Sequence, residues 1–272
     1  MTDRLAAVVR GVPIKYFDTR GGGIIVVAPE YYWGEPTAEQ QNAQLRIKRD
    51  YEEWIEILRS VLRNATDDVA TRIAEADRSF RMWLELDTNW SLSADQQANE
   101  GKLREDAAKF SAIIDILDSG ASGAIIVIPD TNSLVGTPDP SHYRAIAGSD
   151  SFVFVLLPTV LSELDELKNL HKNPDFREKA KKVITRVKGW RTQGSLREGV
   201  IVDRTITVTA IANESDMDNA LSWLDPKIRD DRILASVLEV QASYPTAKVV
   251  LVTGDINLLN KADVARIQHV EI

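Results

Sequence analysis

From Thr37 to about Leu86 the chain carries neither glycine nor proline, and apolar residues recur at Ile47, Tyr51, Trp54, Ile55, Leu58, Val61, Leu62, Ala65, Val69, Ile73, Ala76, Phe80, Trp83 and Leu84. Steps of three and four sustained over that length predict helix, either one long element or two joined near Thr66-Asp67-Asp68, where a side-chain cap restarts the second. A further helix is predicted from about Ser93 to Leu117, opened by a serine cap and carrying Leu103, Ala107, Phe110, Ile113, Ile114 and Leu117. Residues 37–118 thus read as a helical hairpin, a small bundle or a coiled-coil-like region. Residues 1–36 read differently, as short apolar pieces and turns: GGGIIVVAPEYYW is a glycine-marked turn entering a β-branched strand closed by Pro29. Arg20-Gly21-Gly22-Gly23 precedes that strand and does not join a strand to a helix, so it is a turn and not a phosphate loop.

Beyond the flexible break Ser119-Gly120-Ala121-Ser122-Gly123 the pattern changes. Apolar β-branched runs at 124–128, 152–157, 205–210, 248–252 and 267–272 alternate with helical patterns at about 159–170, 176–192, 229–243 and 256–264. Strands that are apolar on both faces, separated by helices, predict an α/β/α sandwich with a central parallel sheet over residues 121–272.

At 272 residues and 44% apolar content the chain can bury a sizeable core. No run approaches the roughly 20 apolar residues that span a bilayer. MTDRLAAVVRGVPIK is too poor in apolar residues for a secretory signal, so the cytoplasm is the expected compartment and no membrane is expected as partner. The absence of cysteine excludes disulfides, thiolate zinc sites and cysteine nucleophiles, and His142, His171 and His269 show no metal spacing. Any metal site must be built mainly from oxygen. Four of the six tryptophans, Trp33, Trp54, Trp83 and Trp90, lie in the N-terminal part. Their helix spacing favours a packing role over the alternative, a surface for self-association or a protein partner.

The net charge of -8 argues against nonspecific coating of nucleic acid, yet between 168 and 197 ten basic residues face only Asp175 and Glu178. Such a run is either a solvated helix face or a contact for phosphate backbone.

Four acids sit just beyond apolar runs or at helix starts: Asp130 in IVIPDTNSL, Glu163 in LPTVLSELDELK, Asp231 in RDDRILA and Asp255 in VLVTGDINLL. In an open parallel sheet, ligands bind beyond the carboxyl ends of the strands, and two adjacent strands would aim Asp130 and Asp255 at one crevice. Each acid taken singly is an ordinary cap or turn residue. Converging carboxylates repel unless a cation neutralises them, which points to a hard-metal site and to phosphodiester chemistry. For the third position Asp231 is preferred over Asp230, because it stands three and four residues before Leu234 and Ala235 and shares the face that packs on the sheet.

These motifs resemble the PIN-domain nucleases: D-T-N-S after a first strand, E-L-D-E-L-K on the next helix, D-D-R-I-L-A at a later helix start and V-T-G-D-I-N-L-L at the end of a fourth strand. The resemblance covers about residues 121–272. It implies metal-dependent cleavage of single-stranded or structured RNA, with Asp130, Glu163, Asp231 and Asp255 as the acidic tetrad and Thr131, Asn132 and Ser133 as the polar stretch supporting the first acid. Asp130, Asp231 and Asp255 would hold Mg²⁺ or Mn²⁺, with Asp230 in support. Asn257 stands where some members carry a further acid, so one metal is a firmer expectation than two. RNA would be guided by Lys168 and Lys172 beyond Glu163, and by Lys181, Lys182 and Arg186.

Two other readings use the same residues. A noncatalytic PIN-like module would bind RNA or protein and leave the acids idle. A phosphatase of the haloacid dehalogenase type needs a second aspartate two positions after its nucleophile, and Asn132 occupies that place.

Overall fold

The structure, a computed structural model, describes residues 1–17, 29–88, 92–118 and 123–272. The strand expected in GGGIIVVA, Trp90 and the break at 119–122 lie outside the described residues. Contacts divide the chain into two units, one of Met1–Arg59 with Ala65–Ser119 and one of Ser60–Asn64 with Gly120–Ile272. Among the described residues no helix is long and apolar enough to cross a membrane.

The first unit contains α1 (Thr2–Gly11), the short antiparallel pair β1 (Ile14–Tyr16) and β2 (Tyr31–Trp33), α2 (Ala38–Val61), α3 (Asp67–Leu84) and α4 (Gln96–Asp118). The long periodic stretch is therefore two helices, and the break falls at Thr66, the residue before α3. The expectation of only strand and turn before residue 36 is corrected by α1, whose buried Leu5, Val8 and Val9 stand at helical spacing and pack it against α4. Phe80 lies 4.9 Å from Tyr51, and Phe110 5.0 Å from Trp54, between ring centroids. Within this aromatic core Asp77 accepts from the Tyr51 hydroxyl at 2.6 Å and from Arg59 and Arg81 at 2.7 and 2.9 Å. A buried carboxylate is tolerated there because donors meet both oxygens.

The second unit holds β3 (Ile125–Pro129), α5 (Thr131–Gly136), α6 (Arg144–Ala147), β4 (Phe152–Leu156), α7 (Pro158–Leu170), α8 (Pro174–Arg191), β5 (Val200–Val202), β6 (Ile206–Ala210), α9 (Arg229–Ser243), β7 (Lys248–Val252), α10 (Ile256–Val264) and β8 (His269–Val270). Its six strands run in the order β5-β6-β4-β3-β7-β8, all parallel except β5. This is the expected α/β architecture with a mostly parallel sheet between helices. The chain winds outward from β3 through β4 to β6, then returns to lay β7 on the other side of β3. Strand order therefore reverses between β3 and β7, and their carboxyl ends open the crevice where such sheets bind ligands.

The antiparallel edge strand β5 is absent from the sequence expectation. Its turn into β6 passes through Asp203 and Arg204 with φ of 45° and 66°, left-handed positions held without the usual asparagine or glycine. Gly199, at φ 100°, precedes the strand, and a Cβ there would stand 2.8 Å from the Thr207 methyl.

Candidate active site

Pro129 pairs with Val252 at the ends of β3 and β7, and the next residue on one strand, Asp130, donates its N–H to the Val252 carbonyl at 2.9 Å. Both chains then turn into helices capped by aspartates. Asp130 Oδ1 accepts from the Ser133 N–H at 2.7 Å at the start of α5, and Asp255 Oδ1 accepts from the Asn257 and Leu258 N–H groups at 2.7 and 3.3 Å at the start of α10. Both acids thus close the turn after their strand by capping a helix, and this is compatible with a site, since a carboxylate oxygen that accepts one hydrogen bond keeps a further lone pair for a ligand.

Thr253 joins the two caps and had no role in the sequence reading. Fully buried, it donates its hydroxyl to Asp130 Oδ2 at 2.6 Å and accepts from the Asp255 N–H at 3.0 Å. Asp130, 4% exposed, therefore has a donor on each oxygen and a fixed carboxylate plane. Gly254 lies between them because a Cβ would meet the Ile272 carbonyl oxygen at 2.7 Å. Only the threonine two places before the aspartate in V-T-G-D signalled this arrangement, a hydroxyl able to bond the backbone two residues on.

A cavity of about 260 Å³ opens over these ends, walled by Asp130, Thr131, Asn132, Glu163, Asp230 and Asp255, with Ile233 and Leu258 contributing apolar surface. Glu163 arrives from α7, and Thr131 donates its hydroxyl to Glu163 Oε2. Arg229, also on the wall, stands 3.6 Å from Glu163 Oε1 and 2.5 Å from Glu166 Oε2. Ser133 is buried, and its side-chain oxygen has no hydrogen-bond partner among the described residues. Asn257 is exposed and does not line the cavity.

Of the two neighbouring acids the structure brings Asp230, and not the expected Asp231, to the cavity wall. Asp231 does face the packed side of α9, as its phase predicts, but that side is sealed. At 2% exposure Asp231 accepts from the Asp225 N–H at 2.9 Å and from Lys261 Nζ at 2.5 Å, and it does not reach the cavity wall. Asp230, one residue and about 100° away, lies on the wall. Burial pushes the Asp230 carboxyl above its ordinary range, and the nearby Asp255 pushes it further; Lys261 opposes, while Asp231 and Asp130 add smaller repulsions.

Among the described residues no three acidic or histidine groups stand in ligating positions about a common point. The donor chemistry nevertheless fits a hard divalent cation. Four carboxylates line one small cavity, and Asp230 is destabilised as an anion by its surroundings.

The basic residues expected to guide RNA divide into two groups. Lys168, Lys181 and Arg186 are engaged by Asp165, Glu178 and Asp139 at 2.5, 2.7 and 2.9 Å, whereas Lys172 and Lys182 have no ion-pair partner among the described residues.

No curated protein matches the chain. A family profile for the PIN domain matches residues 127–272, which runs from within β3 to beyond β8 and covers more than half of the chain. With its mostly parallel sheet, its crevice between β3 and β7 and this match, the chain belongs to the PIN-domain family, whose members are generally nucleases.

Proposed function

We propose that the chain is a metal-dependent endoribonuclease that hydrolyses phosphodiester bonds of RNA in the acidic cavity. The observation that carries the reading is the convergence of Asp130, Glu163, Asp230 and Asp255 on one wall. In this reading Asp230 takes the place expected of Asp231, and Asp231 supports the site from behind by holding Lys261. Mg²⁺ or Mn²⁺ bound there would neutralise the carboxylates, polarise a phosphate oxygen and make water a nucleophile near neutral pH.

The chain's own residues supply the positioning. Asp130, held by Ser133 and Thr253, presents a carboxylate whose orientation costs nothing further on binding. Asp255 spends Oδ1 on its helix cap, and Oδ2 can serve a ligand in the cavity that Asp255 lines. Thr131 orients Glu163 to hold or accept a proton from the attacking water. Arg229 brings a guanidinium to the wall, where it can meet a phosphate oxygen. Asn132 adds a neutral amide at the rim, and Lys172 and Lys182 offer exposed charge for the RNA backbone.

The test is incubation of the protein with single-stranded RNA and Mn²⁺ or Mg²⁺, beside Asp130→Asn and Asp255→Asn variants. The proposal predicts cleavage that requires the metal and is lost in both variants. Equal cleavage by all three proteins would remove it. RNA retained but uncut by the wild type would support the noncatalytic binding module.

A further inference from the structure

A second cavity, of about 830 Å³, lies against the opposite face of α7. Helix phase separates the two. At about 100° per residue Glu163 and Leu167, which line the acidic cavity, share one face, while Leu161, Leu164 and Asp165 on the larger cavity share the other. Its back wall is Ala210–Ala212, at the carboxyl end of β6. Since β6, β4 and β3 are mutually parallel, both cavities open at the same edge of the sheet.

The two cavities differ in chemistry. The floor of the larger one is apolar, built from Leu161, Leu164, Val187 and Leu196. Its rim is cationic. Lys188 and Arg191 near the end of α8 and Arg197 in the following loop are exposed, and among the described residues none of them has an ion-pair partner. The acid on the same rim, Asp165, is taken by Lys168 at 2.5 Å. Three exposed cations of the basic run without an ion-pair partner among the described residues thus ring an apolar seat, while Lys168, Lys181 and Arg186 are paired.

We infer that this cavity is a subsite for a nucleotide of single-stranded RNA, seated across α7 from the acidic cavity and on the same strand as the scissile phosphate. This rests on the nuclease reading of the acidic site. The floor accepts an unstacked base, and Lys188, Arg191 and Arg197 meet the flanking phosphates. A duplex cannot offer a base to the floor, so the seat selects single strands.

The test is fluorescence anisotropy with a labelled oligouridylate of about 12 nucleotides, using the full chain carrying Asp130→Asn, in chelator. Arg191→Glu with Arg197→Glu should weaken binding about tenfold or more and lower the salt slope by about 1.4, two single-strand phosphate contacts. The same charge change at Arg204 and Lys248, on the amino edge of the sheet, should cost less than about threefold by long-range electrostatics alone. Equal losses in the two double variants, no loss in either, or equally tight binding of a duplex would overturn the subsite. Should the glutamate variant fail to fold, ultraviolet crosslinking of a 4-thiouridine oligomer to the Asp130→Asn protein replaces it. Crosslinks within 188–197 or 210–212 support the seat, and crosslinks confined to other segments overturn it. Binding is read here without metal or cleavage. A wild-type chain that binds through Arg191 and Arg197 but never cuts RNA would therefore sink the nuclease reading and leave the seat standing.

Discussion

The Thr253 hydroxyl donates to Asp130 Oδ2 at 2.6 Å across the junction of β3 and β7, and Thr253 Oγ1 itself accepts the Asp255 N–H at 3.0 Å. One buried side chain thereby sets the position of two acids that stand 125 residues apart in sequence.

Replacing Thr253 with valine keeps the shape and removes both bonds. Denaturant unfolding should show a loss of about 2 kcal/mol, the scale for a buried charge-assisted bond together with an unsatisfied amide. Thr253→Ser, which restores the hydroxyl, should recover most of it. Equal stability of the valine and serine variants would mean that the hydroxyl does not hold the acids.

The neighbours Asp230 and Asp231 should respond in opposite directions. Asp230→Asn removes a carboxylate that burial and Asp255 disfavour as an anion, so the metal-free protein should melt about 1–3 °C higher. Asp231→Asn breaks the buried pair with Lys261 and should lower stability by about 1–3 kcal/mol, as seen by thermal or denaturant unfolding. Shifts of the same sign in both variants would contradict the assignment of one acid to the cavity and the other to the fold.

Asp139 gives a pH dependence of defined sign. Burial pushes its carboxyl up, but Arg186 and the Ser141 N–H outweigh burial and hold it at about 2, below its ordinary 3.8. A depressed folded value favours the folded state above the unfolded value, so this contribution is complete above about pH 4 and disappears as pH falls towards 2. Asp139→Asn should flatten that segment of the stability curve in acid titrations. Identical slopes between pH 4 and 2 in wild type and variant would refute it.

Tyr143 anchors the loop behind α5 by donating its buried hydroxyl to the carbonyls of Ser133 and Thr137, 3.1 and 3.0 Å away. Burial, followed by the charge of Asp130, pushes that phenol above its ordinary range, so it remains a donor throughout the working pH. Tyr143→Phe should cost about 1 kcal/mol. A neutral substitution in denaturant unfolding would show that packing alone holds the loop.

Much of the fold was legible because its signals are local. Apolar runs located β3, β4, β6 and β7, and period located α7 to α10 to within about two residues. β5 escaped because its turn uses Asp203 and Arg204 in left-handed geometry, and α1 because a single helix of ten residues was read as fragments. At the site, strand ends led to Asp130 and Asp255, since the carboxyl edge of a parallel sheet is fixed by connectivity. Asp230 ranks behind Asp231 in the sequence for a nonlocal reason: facing the core is equated there with facing the crevice, and the bonds that Asp231 accepts from Lys261, on another helix, and from the Asp225 N–H distinguish them. Likewise the pairing of Arg186 with Asp139 depends on a proximity that the fold decides, whereas Lys168 with Asp165 and Lys181 with Glu178 are i,i+3 pairs on one helix whose spacing is legible in the sequence.

The central claim is that the cavity lined by Asp130, Glu163, Asp230 and Asp255 is a cleavage site. It is tested most directly by the initial rate at which Asp230→Asn cuts end-labelled single-stranded RNA in Mn²⁺, relative to wild type. A fall of about 100-fold or more in a protein that melts no lower than wild type is the predicted result, because the lost group then serves chemistry and not the fold. A rate within about threefold of wild type, less than 1 kcal/mol of barrier, would contradict it.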